Sequence, residues 1–234
     1  TNLPEGANQI LKVTFTPYDK KTYNTANQSV YINVISPTAE DIDGNIYNLV
    51  TIGSQIWMVE NLRTTKYRNG DPISNIENET DWRNANTGAY CWYNNDKISF
   101  ADNYGALYNG HAVLDNRNIA PTGWRVPTVT DFNTLIAYLG GRDAGGKMKH
   151  PATHYWNFPN TGASNESGFS AKPGGICCYP NEYFSNKNYK CYFWTSDTTP
   201  SNLWFSNLSH DTPSTGWGQA AMYMGMSVRC IRNN

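Results

Sequence analysis

Residues 123–141 carry the best helix signal in the chain, and the surrounding sequence reads as short strands and turns. Thr128 follows Gly123-Trp124-Arg125-Val126-Pro127 and is placed to cap the helix. Asp131, three residues on, sets its charge beside the exposed N–H groups of the first turn. Phe132, Leu135, Ile136 and Leu139 then form one apolar face, and Gly140-Gly141 ends the element. The expected architecture is one or two helices packed on a β framework, with Trp57, Trp124, Trp194 and Trp204 supplying core volume.

Composition agrees with that framework and narrows function. The chain has 30 Asn, 16 Tyr, 19 Gly and 8 Trp among 234 residues, which suits hydrogen-bonding turns and short strands better than a helical enzyme. A formal charge of −1, without blocks of like charge, leaves no electrostatic footprint for nucleic acid or an anionic membrane. No apolar run approaches a membrane span, and the start TNLPEGANQI lacks the basic and apolar regions of a signal peptide. Either the protein is cytosolic or the sequence is a piece of a longer chain, and the composition favours the second, with a loop-rich, extracellular protein as the expectation.

Five cysteines, Cys91, Cys177, Cys178, Cys191 and Cys230, show no C-x-x-C spacing, and the four histidines sit singly. Disulfides are therefore expected rather than a zinc cage or redox pair. A bridge from Cys177 or Cys178 to Cys191 would close a loop of about 13 residues and stabilise by roughly 3 kcal/mol in the chain-entropy model. Cys178 to Cys191 is the preferred pairing. His111, His150, His154 and His210 show no partnership with Ser or Cys, and no paired-carboxylate motif is evident, so no enzyme is expected.

Residues 9–16, QILKVTFT, and 28–35, QSVYINVI, alternate apolar and polar side chains as half-buried antiparallel strands do. Together they resemble the closing strands of a bacterial immunoglobulin-like repeat, of which residues 1–37 would be the C-terminal part, with Ser36-Pro37-Thr38 as linker. From Asp41 the character changes. Asp43-Gly44-Asn45 and Gly53-Ser54 are turn signals around β-prone runs. The Asp-x-Asp-Gly run at 41–44 and Asn165-Glu166-Ser167 are the candidate calcium ligands. The first lacks the closing Glu of an EF-hand and the second has one charge; no other cofactor is expected. The loop TGASNESGFSAKPGG lacks the Gly-Lys-Ser/Thr ending of a phosphate cradle.

The ordered blocks DIDGNIY, IGSQIWMVENL, AYCWYNND, YGALYN, PTGWRVPTVTDFNTL, GGKMK, TGASNESGFSAKPGG, FWTSD and MSVRCIR resemble the Fibrobacter succinogenes major paralogous domain, found in surface and secreted proteins of Bacteroidota and Fibrobacterota. The resemblance implies an α+β, C-type-lectin-like domain over 38–234, a fold that also houses sulfatase-modifying enzymes. Family members commonly carry a cysteine just before Pro-x-Gly-Trp, where this chain has Ala120. That departure removes the usual partner of Cys230, so Cys91 pairs with it or both are free.

In lectin-like folds the last third supplies the binding face. Here Tyr192, Asp197, Phe205, Asn207, Ser209, His210, Asp211, Trp217, Gln219 and Tyr223 are the candidate ligand-binding residues, the mixture of amphipathic and small polar side chains that makes adaptable surfaces. Some proteins with this domain are targets of diversity-generating retroelements, and this stretch reads like a diversified copy. The function expected is a non-enzymatic adhesin of the cell surface or a pilus tip, binding a host, bacterial or phage protein or glycan. The rival readings are an extracellular enzyme on the sulfatase-modifying scaffold and a ligand-free structural module.

Overall fold

Alternating sequence pairs with alternating sequence at the N-terminus. Strand β1 (Gly6–Phe15) runs antiparallel to β2 (Ala26–Val34), with Leu11 opposite Val30, Val13 opposite Gln28 and Phe15 opposite Ala26. The computed structural model describes residues 6–34, 38–179 and 182–233, and the chain divides into units Thr1–Pro37 and Thr38–Asn234. Ser36 and Pro37 of the expected linker lie outside the described residues. The strands of the first unit are not half-buried. Val13, Phe15 and Val30 share one face and are all exposed, since two strands alone cannot bury a face within the unit.

The second unit is mixed α+β, mostly sheet. It opens with a meander, β3 (Thr38–Glu40), β4 (Ile46–Ile52) and β5 (Gln55–Met58), which turns at the two expected places. There follow β6 (Ser74–Asn75), α1 (Glu79–Asn84), β7 (Ala89–Cys91), α2 (Lys97–Tyr104), β8 (Leu107–Asn109), α3 (Gly110–Leu114) and β9 (Trp124–Arg125). Next come α4 (Val129–Tyr138), α5 (Ala144–Met148), β10 (Ile176–Tyr179), β11 (Glu182–Ser185), β12 (Lys190–Thr198), β13 (Asn202–Ser209), β14 (Thr215–Ala221), β15 (Gly225–Met226) and β16 (Ile231–Arg232). Three sheets result, ordered β11-β10-β15-β8-β7-β6, β12-β13-β14 and β3-β4-β5-β16-β9. Strand β16 lies between β5 and β9, Ile231 facing Trp57 and Arg125, so the end of the unit is locked into its beginning.

The best helix forms where its local signals place it. Thr128 accepts the Asp131 N–H, and the Asp131 carboxylate accepts the Thr128 N–H in return, a complete capping box. Arg125 clamps Asp131 from outside. Burial pushes the Asp131 carboxyl up, but the Arg125 guanidinium and the Thr128 donors outweigh it and hold the group below the usual carboxylate range. Phe132, Leu135 and Leu139 are buried, and Gly140 takes the left-handed conformation that stops the helix. More helical segments occur than expected. Those at α1, α2 and α3 are short, and each is capped by a side chain that accepts a first-turn N–H: Asn78, Asp96 and Asn109. Those caps were the available sequence signal.

The core is aromatic and divided. Its largest cluster includes Tyr47, Tyr108, Trp124, Trp194 and Cys230; a second gathers Trp57, Phe132, Trp156, Phe169, Phe193 and Cys191; a third holds Trp82, Cys91, Cys177 and Cys178. Trp204 is only half-buried, whereas Trp82 and Trp156 are fully enclosed. The division corrects the expected Cys178–Cys191 bridge. All five cysteines are buried free thiols. Strand β10 pairs with β11 and β15, which gathers Cys177 and Cys178 with Cys91, while Cys191 on β12 joins the α4 side. Cys91 and Cys230 likewise occupy different clusters and are both free, and Cys230 shares its cluster with Ala120.

Candidate functional site

Strands β12, β13 and β14 form the antiparallel sheet that carries most of the expected binding residues. Side chains alternate between its faces, so register decides what each residue can touch. One face holds Tyr192 opposite Asn207 opposite Gly216, then Trp194 opposite Phe205 opposite Gly218. The other holds Phe193, Ser206 and Trp217 in one row, with Trp204 and Gln219 in the next.

On the first face Tyr192 is buried, and its hydroxyl accepts from the Asn186 amide at 3.0 Å. The Phe205 ring packs edge-on to Tyr192 and Trp194, with centroids 5.6 and 6.3 Å away. Phe205 and Asn207 stay half-buried because the outer strand opposite them carries glycines. A Cβ at Gly216 would lie 2.7 Å from the Asn207 amide, and one at Gly218 would strike the Phe205 ring. Only bare backbone lets those two side chains lie across β14. Met222 and Met224, not singled out in the sequence, are half-buried against the same cluster as Phe205.

Both faces pack on core clusters, and the second, with Trp217 as half-buried as Phe205, packs on α4. Trp217 meets Phe132 of α4 edge-on at 6.1 Å, and Phe193 stacks on that same ring at 6.1 Å. Gln219 is exposed at the rim. Ser209, His210 and Asp211 sit at the β13–β14 turn. The Ser209 hydroxyl donates to Asp211 at 2.5 Å and holds its carboxyl below the usual range. His210 packs edge-on against Tyr189, and its Nδ1 lies 3.1 Å from the Phe158 carbonyl. Asp197 accepts the Val129 N–H at 2.7 Å, so it serves the first turn of α4. Tyr223 packs with the third cluster, its carbonyl taking the Trp82 indole N–H and its ring 5.8 Å from the Arg83 guanidinium. The ten residues therefore do not converge: Phe205 and Asn207 share a half-open face with Tyr192 beneath them, and the rest serve the opposite face, the turn, a helix cap and another cluster.

Neither candidate calcium site fits the ion. Asp41 accepts from the N–H groups of Asp43 and Asn45, the Asn45 amide and the Tyr47 hydroxyl. Asp43 accepts from Thr64 and Thr65 and pairs with Lys66 at 3.1 Å. Protein donors take the lone pairs that calcium would need. The Asn165 side-chain amide oxygen accepts the Ser170 N–H, and Glu166 lies 3.6 Å from Lys147. Among the described residues no three His, Cys, Asp or Glu side chains group as a metal site. No helix of the described residues is long and apolar enough to cross a membrane.

Two buried cations hold this architecture. Arg229 donates to Asn61, to the Met58 carbonyl at 3.2 Å and to the Phe169 carbonyl at 2.6 Å, between the Phe169 and Phe193 rings. Lys149 ties the β13–β14 turn to the loop after α5. A cavity of about 390 Å³ lies elsewhere, lined by Glu40, Asp41, Ile42, Arg68, Ile119 and Pro121 among others. Its Arg68 is spent on the carbonyls of Ala120, Pro121 and Trp124.

No curated protein and no solved structure matches the chain. The Fibrobacter succinogenes major domain matches residues 50–232, a span that takes in the last hairpin turn of the meander, the capped helix, the β12–β14 sheet and the closing strand, and the chain belongs to that family.

Proposed function

We propose that this chain is a non-enzymatic binding protein of the bacterial surface, whose second unit has a C-type-lectin-like arrangement and presents the Phe205–Asn207 face to a protein or glycan. The observation that carries the reading is the crossing of those two side chains over Gly218 and Gly216. An aromatic ring and an amide at half exposure, on a hydrogen-bonded sheet, give a rigid anchor beside an adaptable polar group, at little entropic cost on binding. The locking of β16 between β5 and β9 supports the lectin-like arrangement. In this reading the first unit is the end of an immunoglobulin-like stalk in a longer surface or pilus protein, and retroelement diversification acts on the stretch around Asn207.

The enzymatic alternative on a sulfatase-modifying scaffold needs an accessible thiolate. Burial of all five thiols, with Cys191 and Cys230 pushed up to about 12 by loss of solvation, favours binding over thiol chemistry. The test is a screen of the chain against arrayed glycans and host, bacterial and phage surface proteins, repeated with Phe205→Ala and Asn207→Ala. Binding to one class that drops about tenfold in both variants, with melting temperature kept, supports the face. Binding that survives both substitutions refutes it.

A further inference from the structure

Away from the β12–β14 sheet, a cleft of about 180 Å³ is lined by Glu60 and Asn61 after β5, Asn103 at the end of α2, His150 after α5, and Ser170 and Lys172 before β10, with buried Arg229 among its walls. Its polar groups are nearly all donors. The Lys172 ammonium lies 4.5 Å over the Tyr155 ring and has no carboxylate partner among the described residues. His150 Nδ1 accepts the Ala152 N–H at 3.1 Å, which in the neutral ring puts the proton on Nε2 as a donor. The Ser170 hydroxyl oxygen accepts from the Asn165 amide, leaving its own proton to give. Asn103 uses its carbonyl oxygen on the Tyr155 hydroxyl, leaving its amide N–H groups for the cleft.

The acceptor side is partly spent. Glu60 is the acid lining the cleft, and it takes the Asn48 N–H at 2.7 Å and the Asn48 amide at 2.8 Å. Arg229 spends four of its five N–H groups on Asn61 and two carbonyls, while its charge remains. Aromatic rings lead away from its edge. His154 lies 4.0 Å from the Tyr155 ring, and Tyr155 continues through Tyr104 to Phe100, over which Lys187 sits at 5.0 Å. Burial, then Lys172 and His154, hold His150 below its ordinary pKa.

A small cavity with surplus positive charge and several unspent donors is chemically suited to an oxyanion. The geometry points to a second binding site in this cleft, for a carboxylate or sulfate group, held by Lys172, His150, Ser170 and Asn103. The cleft's volume admits such a group rather than a whole oligosaccharide. This site is independent of the Phe205–Asn207 face.

The test is an NMR titration of the whole chain with sodium glucuronate, sodium sulfate and neutral glucose at low ionic strength, following the His150 ring resonances. The expected result is a saturable shift with glucuronate or sulfate and none with glucose. Lys172→Ala should weaken binding about tenfold, the value of one charge-assisted hydrogen bond, and Lys172→Arg should recover most of it. Tighter binding of glucuronate assigns a carboxylate, and tighter binding of sulfate assigns a sulfate group or the free ion. Lys172 is half-exposed, so its variants are expected to fold. No saturable shift with either anion, or equal affinity in Lys172→Ala, overturns the site. Phe205→Ala should leave this titration unchanged, which separates its failure from that of the sheet face.

Discussion

Lys149 gives the sharpest test of how this fold is held. Its side chain has no exposed surface, and its ammonium donates to the carbonyls of Thr161 and Ser209 at 2.9 Å and of Thr212 at 3.0 Å. Burial lowers its pKa from 10.5 to about 8, against the smaller attractions of Cys191 and Asp211. Between about pH 8 and 10.5 the unfolded chain therefore keeps a proton that the folded chain has released, and stability from this group rises with pH across that window. The penalty for burying the charge is fully present below pH 8 and is relieved as pH climbs; the gap corresponds to about 3 kcal/mol. Lys149→Met keeps the apolar stem but strands three carbonyls, at about 1–2 kcal/mol each, while ending the charge penalty. Near neutral pH the two effects oppose, and the variant should lose only about 0–3 kcal/mol. Near pH 10 the relief already belongs to the parent, so the difference between the two proteins should widen by about 2–3 kcal/mol. Urea denaturation of both proteins in reductant, from about pH 7 to 10, reads this difference directly, and titrations common to both cancel. Parallel stability profiles would refute the reasoning and mean that the three carbonyls keep the ammonium charged despite its burial.

Thr128→Ala removes half of the α4 capping box and should cost about 1–2 kcal/mol in chemical denaturation; a loss under about 0.5 kcal/mol would show that Arg125 and Asp131 hold the helix start alone. Asp197→Ala should cost about 1 kcal/mol through the unsatisfied Val129 N–H while leaving ligand affinity unchanged, so an affinity loss at constant stability would return Asp197 to the binding surface. Trp217→Ala should destabilise by about 2 kcal/mol, because the ring packs on Phe132; unchanged stability with lost binding would overturn its assignment to the α4 face. A thiol reagent should label none of the five cysteines in the native protein and all of them in denaturant, and rapid native labelling of any one would contradict their burial.

Local relations were legible in the sequence. The α4 capping box spans three residues and its apolar face one helical period, so Thr128, Asp131, Phe132, Leu135 and Leu139 could be assigned without any knowledge of neighbours. The turns at Asp43-Gly44-Asn45 and Gly53-Ser54 were equally readable, as was the ordered set of blocks that marks the family. For the candidate site the sequence delimited the stretch, Tyr192 to Tyr223, but not which of its residues meet. Those depend on register, and a one-residue step along β14 moves Trp217 toward α4 and Gly218 beneath Phe205.

The remaining surprises share that cause. Asp197 caps a helix 68 residues earlier, Lys149 reaches a turn 60 residues later, and Cys178 and Cys191, 13 positions apart, fall into different clusters. Periodicity records what lies within a few residues along one element, so the sequence by itself determined the helix, the turns, the β-rich class and the family. Strand neighbours, the sharing of faces and the enclosure of Lys149 and Arg229 arise only when distant segments pack, because the free energy of burying a charge or stacking a ring depends on groups that no local pattern names.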